Sequence, residues 1–351
     1  MEPVKLGIIG CGVIAQKHLQ AAADMPQAEI AAVADVRADR AETAARKFGA
    51  VSWYDSAEKL LEDPAVEAVI LALPTGVRTP LVYETLRLGK HALIEKPIAS
   101  SADEVEKILK LRGDRVAACS SSRMAFLPHA AAAEECAASG VLGDLRVVRI
   151  RAIEPAGPDP SNPPPPWRES MAQNGGGILV NWSCYDLDYL MHVTHWQLKP
   201  REVLAQWWPV GGKMTAYAAP GSDADSHYIA LIRCEGGIAL SMERAEFSSA
   251  SLDRAWEITG TDSTLHMPMR PQEGRPNAVV LDRFVPGEGV ISEVIWEEGQ
   301  GNAEGNVTTD FVNAILNGTS PKTSLEKALL LQKITDGIYA SADTGKSVAI
   351  S

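Results

Sequence analysis

The sequence predicts an α/β protein of two domains, a parallel, doubly wound sheet followed by an α+β domain with an open, mainly antiparallel sheet. Two observations support this prediction. The first third of the chain alternates strand-like and helix-like segments, whereas the later strand-like segments follow one another across turns. The chain of 351 residues is long enough for two cores, and we place the domains at 1–122 and 123–351, with C-terminal helices free to pack back on the first domain.

Short apolar runs predict the strands of the first domain, and helix-like segments connect them. In chain order the predicted strands are 4–9, 29–34, 51–54, 66–73, 91–95 and 116–119, and the predicted helices are 14–24, 38–48, 56–61, 77–88 and 101–111. This alternation implies parallel strands with helices on both faces. Ligands bind beyond the carboxyl ends of such strands, so the turns 10–15, 73–78 and 95–98 are expected to face a ligand.

The pattern changes at Arg123. A helix is predicted at 128–139 and a Pro-rich loop at 155–166. Alternating runs separated by Gly, Pro and Asp turns then indicate a largely antiparallel sheet, closed by two helices. The predicted strands are 145–151, 201–208, 226–234, 237–247, 255–260 and 291–296, and the closing helices are 306–317 and 324–342.

Composition excludes several classes of function. The formal net charge of −12 disfavours a nucleic-acid partner. No apolar run is long enough for a membrane span, and Lys5 is followed by a strand rather than by the apolar region of a signal peptide. The five cysteines are scattered without metal-ligand spacing, so we expect reduced thiols, a cytoplasmic protein and no metal site.

The first turn carries the pattern Gly-x-Gly-x-x-Ala at Gly10, Gly12 and Ala15. Gly10 permits a tight turn, Gly12 lets the backbone approach a pyrophosphate, and Ala15 lets the helix pack against the strand. Asp35 ends the next strand, about 20 residues later, where a carboxylate can accept hydrogen bonds from ribose hydroxyls. The combination predicts a Rossmann domain that binds a dinucleotide at a helix N-terminus, the alternative being a glycine-rich turn of some other α/β protein.

NAD is the predicted cofactor because the charge of Asp35 would repel the 2′-phosphate of NADP. NADP is the alternative, since Arg37 could accommodate that phosphate. The residues expected to contact the cofactor lie in the three turns and after the second strand: Gly10, Cys11, Gly12, Val13, Ile14, Asp35, Val36, Arg37, Leu73, Pro74, Thr75, Glu95, Lys96 and Pro97.

Two further stretches carry candidate chemistry. Lys96 follows a strand directly, so its ammonium could donate to a substrate oxygen, although it could equally be a surface lysine in a turn held by Pro97. Three glycines at 175–177 precede a helix on which Asn181, Tyr185 and Asp188 share one face. An amide, a phenol and a carboxylate suit a polyhydroxylated ligand, the alternative being an amphipathic helix with its polar face in water.

This ordered set of motifs resembles the Gfo/Idh/MocA oxidoreductases, the family of glucose–fructose oxidoreductase and inositol dehydrogenase, along nearly the whole chain. The stretches that carry the resemblance are 10–15, 73–75, 95–97, 140–144, 167–168, 175–188, 258–261 and 341–346. The resemblance implies an N-terminal dinucleotide-binding domain and hydride transfer between a nicotinamide and a sugar or polyol carbon. It also implies a homodimer or homotetramer formed through the C-terminal sheet.

The resemblance also implies roles for single residues. Lys96 falls on the family's catalytic lysine. Many members carry Asp, Gly, His and Asp at the positions that here hold Asn181, Ser183, Tyr185 and Asp188. Tyr185 therefore replaces the usual His, as in a branch resembling glucose–fructose oxidoreductase and dihydrodiol dehydrogenase, and Asn181 removes a charge.

We therefore expect an NAD(P)-dependent dehydrogenase acting on a secondary alcohol or ketone of a sugar, glycoside or polyol. Tyr185 would exchange the hydroxyl proton, and Lys96 beside it would hold the oxygen and lower the pKa of the phenol from its ordinary value of ~10. The residues expected to bind substrate are Asn181, Asp188, Arg123, Arg168, Trp167 and His192. Asp186 is expected either to orient a hydroxyl or to point to solvent, and Trp182 either to stack on a sugar or to lie buried.

Two other functions stay open from the sequence. One is glycoside hydrolysis through transient oxidation with tightly held NAD, and the other is a non-catalytic sensor of nicotinamide nucleotides. Residues 160–190 show no cluster of Lys and Arg, which disfavours a phosphorylated substrate, although Arg168 and Arg123 argue against a firm exclusion.

Overall fold

The computed structural model describes residues 2–270 and 277–350. Two compact units divide the chain: Met1–Ser122 with Gly305–Gln332, and Arg123–Glu304 with Lys333–Ser351. The segment Gly305–Gln332 belongs to the first unit because Phe311 and Val312 are buried in the same apolar core as the strands of that unit. The assignment of the cofactor to 1–122 and of the substrate to 123–351 stays a prediction.

Strands and helices alternate through the first part of the chain. They are β1 (Val4–Ile9), α1 (Val13–Ala23), β2 (Ala28–Ala34), α2 (Ala38–Phe48), β3 (Ser52–Tyr54), α3 (Ala57–Glu62), β4 (Ala68–Leu71), α4 (Thr75–Arg87), β5 (His91–Ile94), α5 (Ala102–Arg112) and β6 (Ala117–Cys119). Serines begin two of these helices, since Ser56 accepts from the Lys59 amide and Ser101 from the Glu104 amide, both at 3.3 Å.

The six strands form one sheet in the order β3-β2-β1-β4-β5-β6, and every neighbouring pair is parallel. The order changes direction beside β1, which is where doubly wound sheets bind their ligands. Alanine and branched residues fill β4 and follow His91 in β5, and their side chains are buried because the sheet is covered on both faces. The predicted doubly wound sheet is confirmed.

The rest of the chain is richer in strands. Its elements are α6 (Pro128–Ala138), β7 (Leu145–Pro155), α7 (Met171–Asn174), α8 (Cys184–Val193), β8 (Pro200–Pro209), β9 (Asp225–Cys234), β10 (Ala239–Ser248), β11 (Asp253–Gly260), β12 (Ser263–Met267), β13 (Ala278–Val285), β14 (Gly289–Glu297), α9 (Val307–Asn317), α10 (Leu325–Thr344) and β15 (Val348–Ala349). Among the described residues no helix combines the length and apolar character that a membrane crossing requires.

The second unit contains a nine-stranded sheet in the order β14-β13-β12-β11-β7-β10-β9-β8-β15. Only the β7–β10 pair is parallel, so the mainly antiparallel prediction is confirmed. The sequence analysis missed β12 and β13. The first is only five residues long and the second is interrupted by Asp282 and Arg283, so neither shows the apolar alternation that identifies a strand.

One face of this sheet, here called the open face, carries exposed apolar side chains. Along β8 and β9 the residues alternate, so that Val203 and Ile232 are buried while Leu204 and its cross-strand partner Leu231 are 53% and 51% exposed. A second exposed apolar group lies on β13 and β14, where Phe284 is 67% exposed.

Candidate active site

Gly10 and Gly12 serve different purposes in the first turn. Gly10 has a φ of +90°, and a Cβ there would lie 2.5 Å from the carbonyl oxygen of Ala72 at the end of β4. Gly12 has a φ of −71°, and a Cβ there would meet nothing within 4 Å. The fold itself therefore requires the first glycine, while the space over the second is available to a ligand.

The N-terminus of α1 lies directly after this space. Gly12 is its N-cap residue and supplies no side-chain acceptor for the first backbone N–H groups. Those amides have no partner inside the helix, and the helix dipole makes their end positive. Val13, at the first helical position, is 89% exposed. The arrangement fits the pyrophosphate of a dinucleotide.

Asp35 links the glycine turn after β1 to the turn after β2 by hydrogen bonds. One carboxylate oxygen accepts from the Cys11 amide at 2.8 Å, and the other accepts from the Arg37 amide at 2.9 Å. Each oxygen keeps a second lone pair for a ribose hydroxyl. The Arg37 guanidinium pairs with Asp39 at 2.7 Å, and both side chains are exposed. Val36 beside them is 90% exposed.

Cys11 contributes size rather than reactivity. Its side chain is buried, and its thiol lies 3.7 Å from the carbonyl oxygen of Ala34. Burial, reinforced by the negative charge of Asp35, raises the pKa of this thiol to about 12. A thiol that stays protonated at neutral pH is a poor nucleophile, so the residue fills the turn as a small side chain.

A buried arginine joins the second and third turns. Arg78 lies on α4, is 1% exposed, and donates to the carbonyl oxygen of Leu73 at 2.6 Å and to that of Pro97. Its guanidinium thus links the turn after β4 with the turn after β5. Thr75, the first residue of α4, is also buried. The sequence analysis missed Arg78, because an isolated arginine in a helix gives no sign of burial.

Glu95 holds the backbone that presents Lys96. It is buried, and its carboxylate accepts from the Lys96 amide at 3.1 Å and lies 2.9 Å from the Nε2 atom of His18. The other ring nitrogen of His18 lies 2.8 Å from the hydroxyl of Thr308 on α9. Lys96 itself is half-buried, and its peptide bond to Pro97 is cis. His18 and Thr308 are supporting residues that the sequence analysis did not identify.

In the second unit the three glycines precede a π-helical turn, Leu179–Ser183, that continues into α8. A Cβ at Gly176 would overlap the hydroxyl of Tyr339, and one at Gly177 would overlap the backbone of Asp225. The close approach expected at these glycines is therefore an approach to the protein itself. The Asp225 carboxylate accepts from the amides of Gly177 and Leu179, each at 2.8 Å, and so fixes the start of the helix.

Asn181 and Arg168 belong to one hydrogen-bonded group. Asn181 donates to the carbonyl oxygen of Arg168 at 3.0 Å and accepts from the side chain of Asn174 at 3.1 Å. The Arg168 guanidinium donates to Glu246 at 2.9 Å. Burial raises the pKa of Glu246, and Arg168 opposes that rise. Trp167, next in the chain, is 37% exposed.

Asp188 and His192 form a buried pair on α8. An oxygen of Asp188 lies 3.2 Å from the Nε2 atom of His192, and the Asp188 side chain has no exposed surface. The ring of His192 meets that of Trp196 edge-on at 5.3 Å. Both residues were predicted to bind substrate, and that role stays a prediction. The described residues contain no cluster of His, Cys, Asp or Glu that could hold a metal ion.

Aromatic rings and guanidinium groups surround Tyr185. Its ring is 5.8 Å from that of Trp182, edge-on, and the Arg123 guanidinium lies 5.3 Å from its centre. Trp182 in turn has the guanidinium groups of Arg270 and Arg244 at 4.5 Å and 5.0 Å. The structure thus brings together Arg123, Trp182 and Tyr185, three of the residues named from the sequence. Whether Lys96 acts with Tyr185 stays a prediction.

Asp186 points neither to solvent nor to a substrate, which corrects the expectation from the sequence. It is fully buried and accepts two hydrogen bonds from Arg244, at 2.6 and 3.0 Å, and one from the Trp256 indole at 2.8 Å. Burial opposes the charge of Arg244, but Asp186 outweighs it, so the pKa of the guanidinium is raised. Arg244 and Trp256 come from β10 and β11, too far along the chain for the sequence to pair them with Asp186.

Known protein families match both parts of the chain. The model of the oxidoreductase family with an NAD-binding Rossmann fold matches residues 4–120, and the model of the GFO/IDH/MocA C-terminal domain matches residues 130–266. The two matches together span most of the chain. The first unit is accordingly an NAD-binding Rossmann domain, in agreement with the predicted cofactor.

Curated relatives match more locally. The dTDP-3,4-didehydro-2,6-dideoxy-alpha-D-glucose 3-reductase of Streptomyces violaceoruber is 35% identical over 42% of this chain and 44% of its own length. The trans-1,2-dihydrobenzene-1,2-diol dehydrogenase of Mus musculus is 32% identical over 58% of this chain and 59% of its own length. The chain thus spans about half the length of the curated relatives that it matches.

A solved structure matches along the whole chain. It is a levoglucosan dehydrogenase in complex with NADH and L-sorbose, which superimposes with a TM-score of 0.86 over 100% of both chains at 20% sequence identity. At that level of identity the likeness establishes a shared fold. The geometry of the glycine turn agrees with the family match to an NAD-binding Rossmann domain.

Proposed function

The chain belongs to the Gfo/Idh/MocA oxidoreductases, and from this premise we propose that it is an NAD-dependent dehydrogenase of a sugar, glycoside or polyol. The observation that carries the cofactor half of the proposal is the open space over Gly12 at an uncapped helix N-terminus. The substrate half rests on the buried phenol of Tyr185 with a guanidinium over its ring. Hydroxyl groups of a carbohydrate suit such a surface of hydrogen-bonding and aromatic groups.

The preference for NAD over NADP is inferred from the charges in the turn after β2. The Asp35 carboxylate would accept from the ribose hydroxyls and repel a 2′-phosphate. Arg37, the residue that could compensate for such a phosphate, is paired with Asp39 instead. The pyrophosphate would contact the amides that follow Gly12, and the remaining cofactor contacts would come from the turns at 73–75 and 95–97.

A bound nicotinamide supplies the hydride acceptor or donor. Tyr185 would take the hydroxyl proton during oxidation and return it during reduction. The Arg123 guanidinium lies 5.3 Å from the centre of the phenol ring and so places a positive charge beside this group. Lys96 would hold the substrate oxygen, and Glu95 fixes the backbone from which that ammonium extends.

Substrate contacts are divided between exposed and buried groups. Trp167 is accessible for stacking on a sugar ring. Asn181 is buried and hydrogen-bonded to Asn174 and to the Arg168 carbonyl, so a substrate would have to compete for its amide. Asp188 and His192 are buried against each other, so in this proposal they support the helix and act on the substrate through it. Arg168 likewise holds Asn181 through its carbonyl oxygen.

The open face provides the surface for self-association. Its exposed apolar residues on β8, β9, β13 and β14 would be covered in a homodimer or homotetramer. Light scattering of the purified protein tests this part, since a monomer at micromolar concentration would contradict it. Leu231→Lys should dissociate the assembly without unfolding the chain, because Leu231 is already half exposed.

The test of the proposed chemistry is NADH formation with a panel of sugars, glycosides and polyols. Lys96→Met and Tyr185→Phe should each reduce turnover by about 100-fold or more, as expected when an acid–base group is lost. Both should still bind NAD. Lys110→Met and Tyr217→Phe are the matched controls, since both residues lie on other elements, and they should keep normal turnover.

Three outcomes would contradict the proposal in different ways. Near-normal turnover of both catalytic variants would show that the proton takes another route. Cleavage of a glycoside without net NADH would indicate the hydrolase alternative. Tight NAD binding with no reaction of any kind on the panel would indicate a sensor.

A further inference from the structure

Arg270 is a cation with no counterion among residues 2–270 and 277–350. Of the guanidinium groups near Trp182, Arg244 is neutralised by Asp186, and the neighbouring Arg254 is neutralised by Glu154 at 2.7 Å. Arg270 forms no ion pair with a carboxylate of the described residues, and it is only partly exposed. Within the described part of the chain, one positive charge is therefore left without a carboxylate partner, 4.5 Å from the centre of the Trp182 ring.

The electrostatic environment makes this charge unfavourable in the ligand-free protein. Burial, and then the nearby charges of Arg254 and Arg244, lower the pKa of Arg270. A cation that its surroundings disfavour is stabilised when an anion binds to it. The guanidinium stays protonated even so, because its ordinary pKa lies far above neutrality.

Arg270 also lines a cavity of about 180 Å³ at the ends of β11, β12 and β13. The other polar side chains that line it are those of Arg254, Glu257, His266 and Asn277. The Glu257 carboxylate is paired with Arg149 at 3.0 Å and with His266. The Asn277 side-chain oxygen is buried and receives no hydrogen bond from the described residues. His266 is already engaged, with Glu257 at 3.2 Å and Asp282 at 3.0 Å, and so offers no further charge to a ligand.

We propose that this cavity binds an anionic group, a carboxylate or a phosphate, carried by a hydroxylated substrate, and that Arg270 is its charge partner. The Asn277 oxygen takes a hydroxyl of the same molecule. This inference rests on the proposed dehydrogenase function and narrows its substrate class to acidic sugars or sugar phosphates. A guanidinium binds either anion through two parallel hydrogen bonds, and the cavity holds a single small group of this kind.

The inference reverses an expectation from the sequence. Residues 160–190 contain no cluster of Lys and Arg, and this disfavoured a phosphorylated substrate. The structure supplies the positive charge from a different part of the chain, at the end of β12, and places it against the ring of Trp182.

The test compares charged and neutral sugars as binding probes. D-glucuronate, D-gluconate and D-glucose 6-phosphate are titrated into the NADH-saturated protein by calorimetry, with D-glucose as the neutral counterpart. At least one charged probe should bind about tenfold or more tightly than glucose, with an affinity that falls as salt is added. The carboxylate and phosphate probes together decide which anion is preferred.

Arg270→Met should weaken binding of the preferred charged probe by about 10- to 100-fold and leave the binding of glucose unchanged. With a turned-over charged substrate the variant should raise KM and keep kcat, because Arg270 acts on binding rather than on the reacting carbon. Arg233→Met is the control, since Arg233 is an exposed arginine of the same unit, paired with Glu202. Arg270→Lys should restore part of the affinity, and thermal melting verifies that each variant is folded.

Equal binding of charged and neutral probes, or an equal loss of both in Arg270→Met, would overturn the inference. So would a preference for neutral substrates in the turnover panel. Failure of the dehydrogenase proposal is a separate result, since it shows as absent NADH formation while the calorimetric comparison still decides whether an anion binds at Arg270.

Discussion

The glycine turn of the first unit and the polar helix of the second place their functional residues by different means. In the turn, backbone conformation and backbone hydrogen bonds place the residues. Gly10 adopts a positive φ, and Asp35 accepts from the amides of Cys11 and Arg37. In the helix, the positions of Trp182 and Tyr185 depend on partners from distant strands, above all the Asp186–Arg244 pair. The first arrangement is set by the adjacent ends of β1, β2 and β4 in the parallel sheet, and the second by partners from β10 and β11 of the other sheet.

This difference predicts how substitutions in each site act. A substitution in the turn should change the local backbone and the binding of the ligand that the turn is proposed to hold. A substitution in the buried ion pairs behind the helix should lower the unfolding free energy of the whole unit, because an unpaired charge in the interior is strongly destabilising. Five predictions sharpen this contrast, beginning with the largest expected effect.

Arg244→Met should cost about 3–5 kcal/mol of unfolding free energy, because it leaves the fully buried Asp186 carboxylate without its counterion. Urea unfolding followed by circular dichroism measures the loss. The double variant Asp186→Leu/Arg244→Met should recover a large part of it, since an apolar pair can replace a buried ion pair. A loss below 1 kcal/mol in the single variant would show that the helix does not depend on this partner.

Gly10→Ala should destabilise the protein by about 2–3 kcal/mol, since the new Cβ combines a positive φ with a clash against the Ala72 carbonyl. Gly12→Ala is the matched variant in the same turn. It should leave the melting temperature nearly unchanged and weaken NAD binding by about tenfold or more, because its Cβ enters the space for the pyrophosphate. Equal destabilisation by both variants would contradict the separate purposes assigned to the two glycines.

Two histidines of the second unit should respond to pH with opposite sign. Burial lowers the pKa of His129 to about 4, so the unfolded chain takes up a proton that the folded protein rejects, and stability falls as the pH drops below 6.5. The loss should be about 2 kcal/mol between pH 7 and pH 5. Unfolding curves for His129→Gln against pH should lack this component.

His266, on β12, should show the opposite dependence of stability on pH. Glu257 and Asp282 raise its pKa, so its contribution is fully present below pH 6.5 and is lost as the pH rises through the raised value. The side chain is 38% exposed, so the effect is small. The His266→Gln variant should therefore differ from the wild type more at pH 6 than at pH 8, and a larger difference at pH 8 would contradict this sign.

Asn306→Ala should cost about 1 kcal/mol, the typical value for an N-cap residue. Asn306 caps α9 by accepting from the amides of Thr308 and Thr309, while the Thr309 hydroxyl accepts from the Asn306 amide. The capped helix belongs to the first unit and carries Thr308, which contacts His18. Thermal melting checks the loss, and Asn306→Asp, which keeps the acceptor, should restore most of it.

Local features of the chain allowed most of the first unit to be predicted. The strands of its sheet are apolar runs ended by turn residues, and the glycine turn with Asp35 has a spacing imposed by the backbone. The second unit was harder. The sequence analysis missed β12 and β13 because they lack strong alternation, and it missed the π-helical turn because no residue type marks one.

The candidate site divides in the same way. Lys96 and Tyr185 were recognised from motifs, whereas their supports, Glu95–His18 in one unit and Asp186–Arg244 in the other, include residues that no motif identifies. Asp186 was misjudged for this reason, since its position on the helix is compatible with solvent, substrate or interior. Only the register of β10 and β11 behind the helix places Arg244 and Trp256 against it.

The sequence by itself determined the alternation that makes a parallel sheet, the turn that receives a dinucleotide, and the residue types available for proton transfer. These follow from short-range rules of backbone conformation and apolar periodicity. The tertiary structure alone decided which charges are neutralised, because ion pairs join residues that are far apart in the chain. Among the described residues it places Arg270 against Trp182 with no carboxylate partner, and that arrangement is a consequence of packing rather than of any single segment.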